Sequence, residues 1–378
     1  DEVDIYTISL SNDAYAALFE RGFMAELGAS QTLRDAVAAM YPIMQDAVTK
    51  DGELYAVPMS SNGSCLTLNE TLLTEKLGFT QEELPKTWLD LLGMLAKLAD
   101  GRMEDVPEVT LLDPYYIERD AKFNVFYNML GDYFLWLDES EENVKRGSEV
   151  LVALCEAFDA IDWSGFGMPQ EYEDDQVWDW NGENIIMSTN GVGINYYYED
   201  QQVMTPLAIE GEPKIGLELR VAFVNPFSKH REAAIEYLEM AYGAMDETTK
   251  MALCPEMNDP VENKYYEENI ESFDKNIADM KEAMEKSEDE DNREQLAQSI
   301  EEMESYRDEF IENMRWDVSP EQIERYRKLG EHFAISGQSV WSSGSSEQVS
   351  QYLDGAITAQ QLASELEKTL QMKRLEGM

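Results

Sequence analysis

His230 and His332 are the only histidines in this 378-residue chain, and that scarcity settles most of the covalent chemistry open to it. A serine or cysteine nucleophile needs a general base within hydrogen-bond reach, and neither histidine lies near a GxSxG-type serine. Both read as surface helix residues. Cys65, Cys155 and Cys254 are far apart and show no CxxC spacing, so they suggest neither a zinc site nor a disulfide framework. They read as small buried apolar residues, with at least one thiol unpaired. Carboxylates are abundant, at 77 Asp plus Glu, but no spacing singles out an acid and a base for glycoside hydrolysis. Asp179, Asn181 and Gly182 imitate the middle of a calcium loop, yet Val177 stands at its first ligand position and Ser188 at its twelfth. Phosphate-cradling GxxxxGK[ST] and GxGxxG patterns are missing from the sequence. The expectation is a chain with no catalytic residue, no metal and no cofactor.

What remains is the chemistry of binding. The chain places aromatic and small polar residues together in stretches that read as loops. A pyranose ring presents weakly positive C–H groups that suit the negative face of an aromatic ring, and its hydroxyls need donors and acceptors from Asn, Asp, Ser and Arg. The same mixture fills turns and core edges, so composition leaves both readings open.

The elements that must position such residues need a packed core, which the 43% hydrophobic and 10% aromatic content supplies. The length suits two domains. Charge narrows the partners: 29 Lys plus Arg against 77 Asp plus Glu leave a formal net charge of −48. Such a chain repels polyanions, which argues against nucleic acid and against anionic membranes. The acidity itself reads as a solubility device on a surface protein. No run approaches the roughly 18 apolar residues that a membrane span requires. The chain opens on Asp1, Glu2, Val3 and Asp4 without a signal-peptide pattern, and a strand pattern follows at once over Val3 to Leu10.

Short strand-like runs alternate with helical stretches through the first hundred residues: IYTISL, YAALFERGFMAEL, LYAVPM, then CLTLNETLLTEKLG. That alternation predicts an α/β fold. Thr87 is expected to cap a helix beginning at Trp88, which itself reads as structural. Residues 121–160 predict two helices broken at Gly131. INYYYED and LELRVAFV read as strands, and FSKHREAAIEYLEMAYGAM as an amphipathic helix.

From Asn263 to Met314 the chain is charge-dense, with Ile270, Phe273, Ile277, Met280 and Met284 spaced three, four, three and four. After the SEDEDN break, Leu296, Ile300, Met303, Tyr306 and Phe310 continue the pattern. This predicts an antiparallel helical hairpin with an acidic tip, either braced on one lobe or serving as a docking arm. Two more helices are expected in the last sixty residues, around PEQIERYRKLGEHFAI and around EQVSQYLDG followed by AQQLASELEKTLQMKRLEG.

The segment DGELYAVPMSSNGSCLTLNETLLTEKLGFTQEELPKTWLDLL carries three ordered motifs: Gly52 to Pro58, Leu68 with Asn69, and Pro85 to Trp88. In these it resembles the family-1 extracellular solute-binding proteins of ABC importers, the maltose-binding type. ENIIMSTNG, NPFSKHREAAIEYLEMA and YLDGAITAQQLASELEKTL resemble later segments of that family in order. The hairpin at 263–314 departs from its pattern as an insertion. Members of the family carry a strand, a helix and a second strand ahead of the segment that IYTISL resembles. Those elements, and any lipoprotein cysteine that precedes them, are expected outside this sequence.

The resemblance implies a two-lobed periplasmic-binding-protein-like type II fold with hinge strands. Residues 1–62 and 220–328, with the hairpin, would form the first lobe, and 63–219 with 329–378 the second. It implies a small-molecule ligand, a carbohydrate by family prevalence, captured by hinge closure and handed to ABC permease subunits. The protein would be a monomer outside the cell, anchored to a bacterial surface as a lipoprotein. By matching positions, the resemblance puts Asn12, Asp13, Tyr15, Ser60, Ser61 and Asn62 on the first-lobe side of the cleft. It puts Asn195, Tyr196, Tyr197, Trp341 and Ser342 on the second, with Tyr116 and Arg119 as further candidates. Asn12 and Asp13 would serve equally as helix caps, and Tyr196 to Tyr198 as packed strand residues. The rival class is a sensory or interaction protein that reuses the fold and docks a partner on the acidic hairpin.

Overall fold

The computed structural model describes residues 3–10, 13–102, 106, 109–112, 118–166, 184–196, 202–287, 289–336 and 346–376. Its strands are β1 (Ile5–Ser9), β2 (Thr49–Lys50), β3 (Glu53–Leu54), β4 (Val57–Asn69), β5 (Met187–Gly191), β6 (Gln202–Met204), β7 (Ile215–Val224), β8 (Val261–Glu262), β9 (Trp316–Val318) and β10 (Phe333–Ile335). The first helices are α1 (Asp13–Glu20), α2 (Gln31–Ala38), α3 (Pro42–Val48), α4 (Trp88–Lys97), α5 (Glu118–Asp138) and α6 (Glu141–Asp159). They are followed by α7 (Arg231–Gly243), α8 (Glu247–Leu253), α9 (Tyr266–Lys286), α10 (Glu290–Asn313), α11 (Pro320–Gly330), α12 (Ser346–Leu353) and α13 (Ala359–Glu376).

Local chemistry sets many of these boundaries. The Thr87 hydroxyl accepts from the Asp90 amide at 3.1 Å while the Asp90 carboxylate accepts from the Thr87 amide, a capping box that starts α4 as expected. Helix α1 stops at Glu20, short of the predicted YAALFERGFMAEL run. Gly22 there takes φ 70, and the Phe23 amide closes back on the Leu18 carbonyl at 2.9 Å, which ends the helix in a Schellman turn. Asp51 (φ 55) and Gly52 (φ 84) make the two-residue turn between β2 and β3, where both positions need the left-handed region.

Two expected elements are corrected. Helix α5 runs through Gly131 without a break, because Leu130, Tyr133, Phe134 and Leu137 around it are buried and their packing exceeds the ~1 kcal/mol glycine penalty. The break falls instead at Glu139–Ser140, where the Ser140 hydroxyl accepts from the Asn143 amide and starts α6. The predicted strand INYYYED is a turn over Ile194 to Tyr196, closed by the Tyr196 amide on the Gly193 carbonyl at 3.2 Å. Its remaining residues lie outside the described set.

Strand β4 organises the sheet. At about 3.3 Å per residue its 13 residues reach roughly 40 Å. Its first half pairs antiparallel with β7, from Val57↔Ala222 to Gly63↔Leu217, with an irregularity between Pro58 and Ser60. Its second half pairs antiparallel with β5, from Ser64↔Gly191 to Leu68↔Met187, and with β6. The other edge of β7 carries β1 antiparallel, and β10 joins β7 parallel at Ile215 to Leu217.

Buried apolar residues form two clusters, and β4 passes from one to the other. Val57 and Cys65 belong to the cluster that contains α2, α3, β7 and α11. Leu66 and Leu68 belong to the cluster built on α4, α5, α6, α12 and α13. Gly63 pairs with Leu217 at the end of the β4–β7 ladder. A Cβ there would stand 2.7 Å from Leu217 Cδ2 and 2.9 Å from the Gly216 carbonyl oxygen.

The charged segment forms the predicted hairpin, α9 against α10, turning at Ser287. Ile277 and Ile300 are its buried centre, and Tyr266 and Phe273 meet Phe310 near the root. Lys281 pairs with Glu304 at 2.6 Å and Arg307 with Asp274 at 3.0 Å. The hairpin joins the first cluster through the two-stranded ribbon of β8 and β9.

Candidate functional site

A cavity of about 570 Å³ opens beside the point where β4 leaves β7, a volume in the range of small-molecule sites. Among the described residues, four pieces of chain line it. Strand β4 contributes Ser60, Ser61, Asn62 and Gly63; the end of β5 and the turn after it contribute Gly191 to Tyr196; the cap and body of α8 contribute Asp246, Thr248, Thr249 and Ala252; β9 contributes Asp317.

Each wall has a local cause. The close contact of Gly63 with Leu217 fixes the β4 backbone, and a side chain at 63 would fill space between the strands. Tyr196 is tied down from two directions: its hydroxyl donates to Asn190 Oδ1 at 2.7 Å, and its carbonyl accepts from Gln322 Nε2 of α11 at 3.3 Å. Asn190 Nδ2 in turn donates to Thr67 Oγ1 at 2.8 Å, and Thr67 Oγ1 donates to Gln202 Oε1 at 3.1 Å. This chain of polar groups runs through β5, β4 and β6 and holds the turn in place.

At the α8 part of the lining, the Asp246 carboxylate accepts from the Thr249 amide at 2.8 Å and from the Thr249 hydroxyl at 2.6 Å. Those bonds, the hydroxyl first, hold its carboxyl below the usual carboxylate range, so it is ionised at neutral pH. The Arg327 guanidinium secures the chain after α8: it donates to the carbonyls of Met251, Cys254 and Met257, to Asn258 Oδ1 at 3.0 Å and to the Tyr41 hydroxyl at 3.0 Å.

The described lining is rich in hydroxyl, amide and carboxylate groups and includes the Tyr196 ring. It can exchange hydrogen bonds with a hydroxylated solute, donating from Ser, Thr and Asn and accepting at Asp. A second, far smaller cavity of about 20 Å³, room for about one water, lies further along β4 among Ser64, Cys65, Trp88, Asn128, Asp132 and Lys214.

Of the residues expected from sequence, the structure brings Ser60, Ser61, Asn62, Asn195 and Tyr196 to the larger cavity. Tyr15 is placed elsewhere: it is 5% exposed, stacks on Phe19 and donates its hydroxyl to the Ala47 carbonyl at 2.8 Å, so its ring belongs to the core. Asp13 is the first residue of α1 and Arg119 the second of α5. Asn12, Tyr116, Tyr197, Trp341 and Ser342 lie outside the described residues. Asp246, Thr248, Thr249 and Asp317 escaped sequence reasoning. The one local sign was Asp246 three residues before Thr249, which reads as an ordinary helix cap.

The model of a family described as bacterial extracellular solute-binding protein matches residues 2–192, from ahead of β1 through β5 and into the turn of the cavity. The chain belongs to that family. For a solute-binding protein, a sheet whose long strand passes between two cores is the frame of the two-lobed type II fold, and a solved structure bears this out. The cyclic alpha-maltosyl-1,6-maltose binding protein from Arthrobacter globiformis matches with a TM-score of 0.50 and 13% identity, over 98% of this chain and 84% of that one. At that identity the likeness is one of fold. Among curated proteins none matches this solute-binding protein in sequence.

Proposed function

We propose that this solute-binding protein is the substrate-binding component of a bacterial ABC importer, holding a mono- or oligosaccharide without covalent chemistry and delivering it to the permease. The observation that carries the reading is the polar cavity at the β4 crossing, lined by Asn62, Asn195, Tyr196, Asp246 and Asp317 among others. Of its lining, Val192, Ile194, Tyr196 and Ala252 pack with the core of α2, α3, β7 and α11, and the other core would reach the ligand on closure. A ligand that touches both lobes only when they close stabilises the closed state by that difference in affinity. Residues 1–62 with 220–328, and 63–219 with 329–378, are the lobes in this reading. Trp341 and Ser342 would meet the ligand from the second lobe, and the protein would work outside the cell as an anchored lipoprotein.

Thermal-shift screening against a sugar library tests this, since a ligand at about 100 times its Kd adds roughly 2.7 kcal/mol of stability. A flat response across neutral, amino and acidic sugars would refute the carbohydrate assignment. The hairpin favours one further reading, a docking arm for a protein partner, because Tyr306 on it is 63% exposed. Partner binding that is independent of ligand and lost on removal of residues 263–314 would support that reading.

A further inference from the structure

The described residues that line the large cavity include two carboxylates, Asp246 and Asp317, and no Lys, Arg or His. Asp317 is exposed, and Asp246 is exposed with its two oxygens each accepting one bond from Thr249, which leaves acceptor capacity on both. A carboxylate-bearing solute in this space would meet like charge with no cation on the lining to compensate it. A solute with an ammonium group would meet opposite charge and acceptors at once.

The rest of the chain deepens the bias. Its formal net charge is −48, and the segments outside the described residues add 15 Asp and Glu and no Lys, Arg or His. At physiological salt this distant charge is screened beyond about 8 Å, so the near carboxylates decide selectivity and the remote ones bias approach. Arg119 is the one cation among the residues expected from sequence at the site.

We propose that the cavity is a charge filter that takes amine-bearing sugars in preference to neutral ones and refuses sugar acids. The proposal rests on the sugar-binding reading above and names the ligand class within it. Asp317 is the distinguishing contact, since among the described residues no hydrogen bond or ion pair of the fold employs its carboxylate, whereas Asp246 also caps α8.

Calorimetric titration of the full chain with three matched β1,4-disaccharides tests it: the glucosamine form, its N-acetylated form and the glucose form, with glucuronate as the acidic probe. The glucosamine disaccharide should bind about tenfold more tightly than the other two at low salt, with the gap narrowing as salt is added, and glucuronate should show no heat of binding. Asp317→Asn should bring the amine and neutral forms together while leaving the melting temperature unchanged, and Asp246→Asn, which keeps a capping oxygen, should do the same in part. Equal affinities for amine and neutral forms in the unaltered protein overturn the filter and leave the sugar reading standing. Tight glucuronate binding lost in Arg119→Ala overturns it in favour of an acid-binding site. Binding by none of the probes, or by any other sugar, overturns both readings together.

Discussion

The indole Nε1 of Trp88 donates a 2.8 Å hydrogen bond to Asp132 Oδ2, tying the first residue of α4 to the middle of α5. Trp88 is 1% exposed, so this bond supplies the one partner a buried indole needs. Burial pushes the Asp132 carboxyl up to about 7, and the Trp88 bond pulls against that rise. The unfolded chain releases this proton near the ordinary pKa of about 3.9 while the folded protein still holds it. Stability from this group is therefore fully present below about pH 4, declines as pH rises towards 7 and is level above it. Asp132→Asn keeps an acceptor for Trp88 and removes the titration. With the carboxyl at the edge of a small cavity that admits water, the gain at pH 8 should be about 2 kcal/mol, with no gain at pH 4. Denaturant melts at the two pH values check this.

Asn62 is exposed on β4 at the cavity. Asn62→Ala should leave stability within about 0.5 kcal/mol, since nothing buried depends on the amide. Affinity for any sugar identified by thermal shift should fall about tenfold or more if the amide bonds a hydroxyl. Titration calorimetry beside a melting curve separates the two effects.

Gly63→Ala would drive a Cβ towards the Gly216 carbonyl oxygen, which as backbone moves only with β7. The two strands must part, at a cost of about 1–3 kcal/mol. Urea denaturation should show the lost stability, and ligand affinity should fall with it because the same strand floors the cavity.

Trp341 stands between Val340 and Ser342 in a stretch rich in Ser and Gly. If its ring stacks on a sugar, Trp341→Ala should weaken binding by about tenfold, in line with an aromatic contact beyond ~1 kcal/mol. Unchanged affinity by calorimetry would remove it from the site.

The Asn263 amide meets the Arg315 carbonyl at 3.0 Å at the hairpin root, so the two ends of the arm already sit side by side. Removal of residues 263–314 with a short Gly-containing turn should therefore leave the two main cores folded. The buried centre that is lost, Ile277 and Ile300, belongs to the arm alone. Melting and sugar titration of the shortened chain should match those of the full protein to within about 1 kcal/mol.

Local pattern was enough for much of this protein. The spacing of Ile270, Phe273, Ile277, Met280 and Met284 specifies a helix face, because a period near 3.5 puts every apolar residue on one side of that helix and no other arrangement buries them. Thr87 and Asp90 specify the start of α4 through bonds that reach only three residues. The ordered motifs from Gly52 to Trp88 carried the family. Tertiary contacts decided the rest. Gly131 stays helical because of aromatic neighbours on α5 and the helices packed against it, and Ile194 to Tyr196 turn because the Tyr196 hydroxyl reaches Asn190. Asp246 and Asp317 face the same space as Ser60 and Asn62 although some 180 to 260 residues separate them in the chain. Strand pairing and the root of the hairpin make that meeting, and neither leaves a mark in the residues around either aspartate.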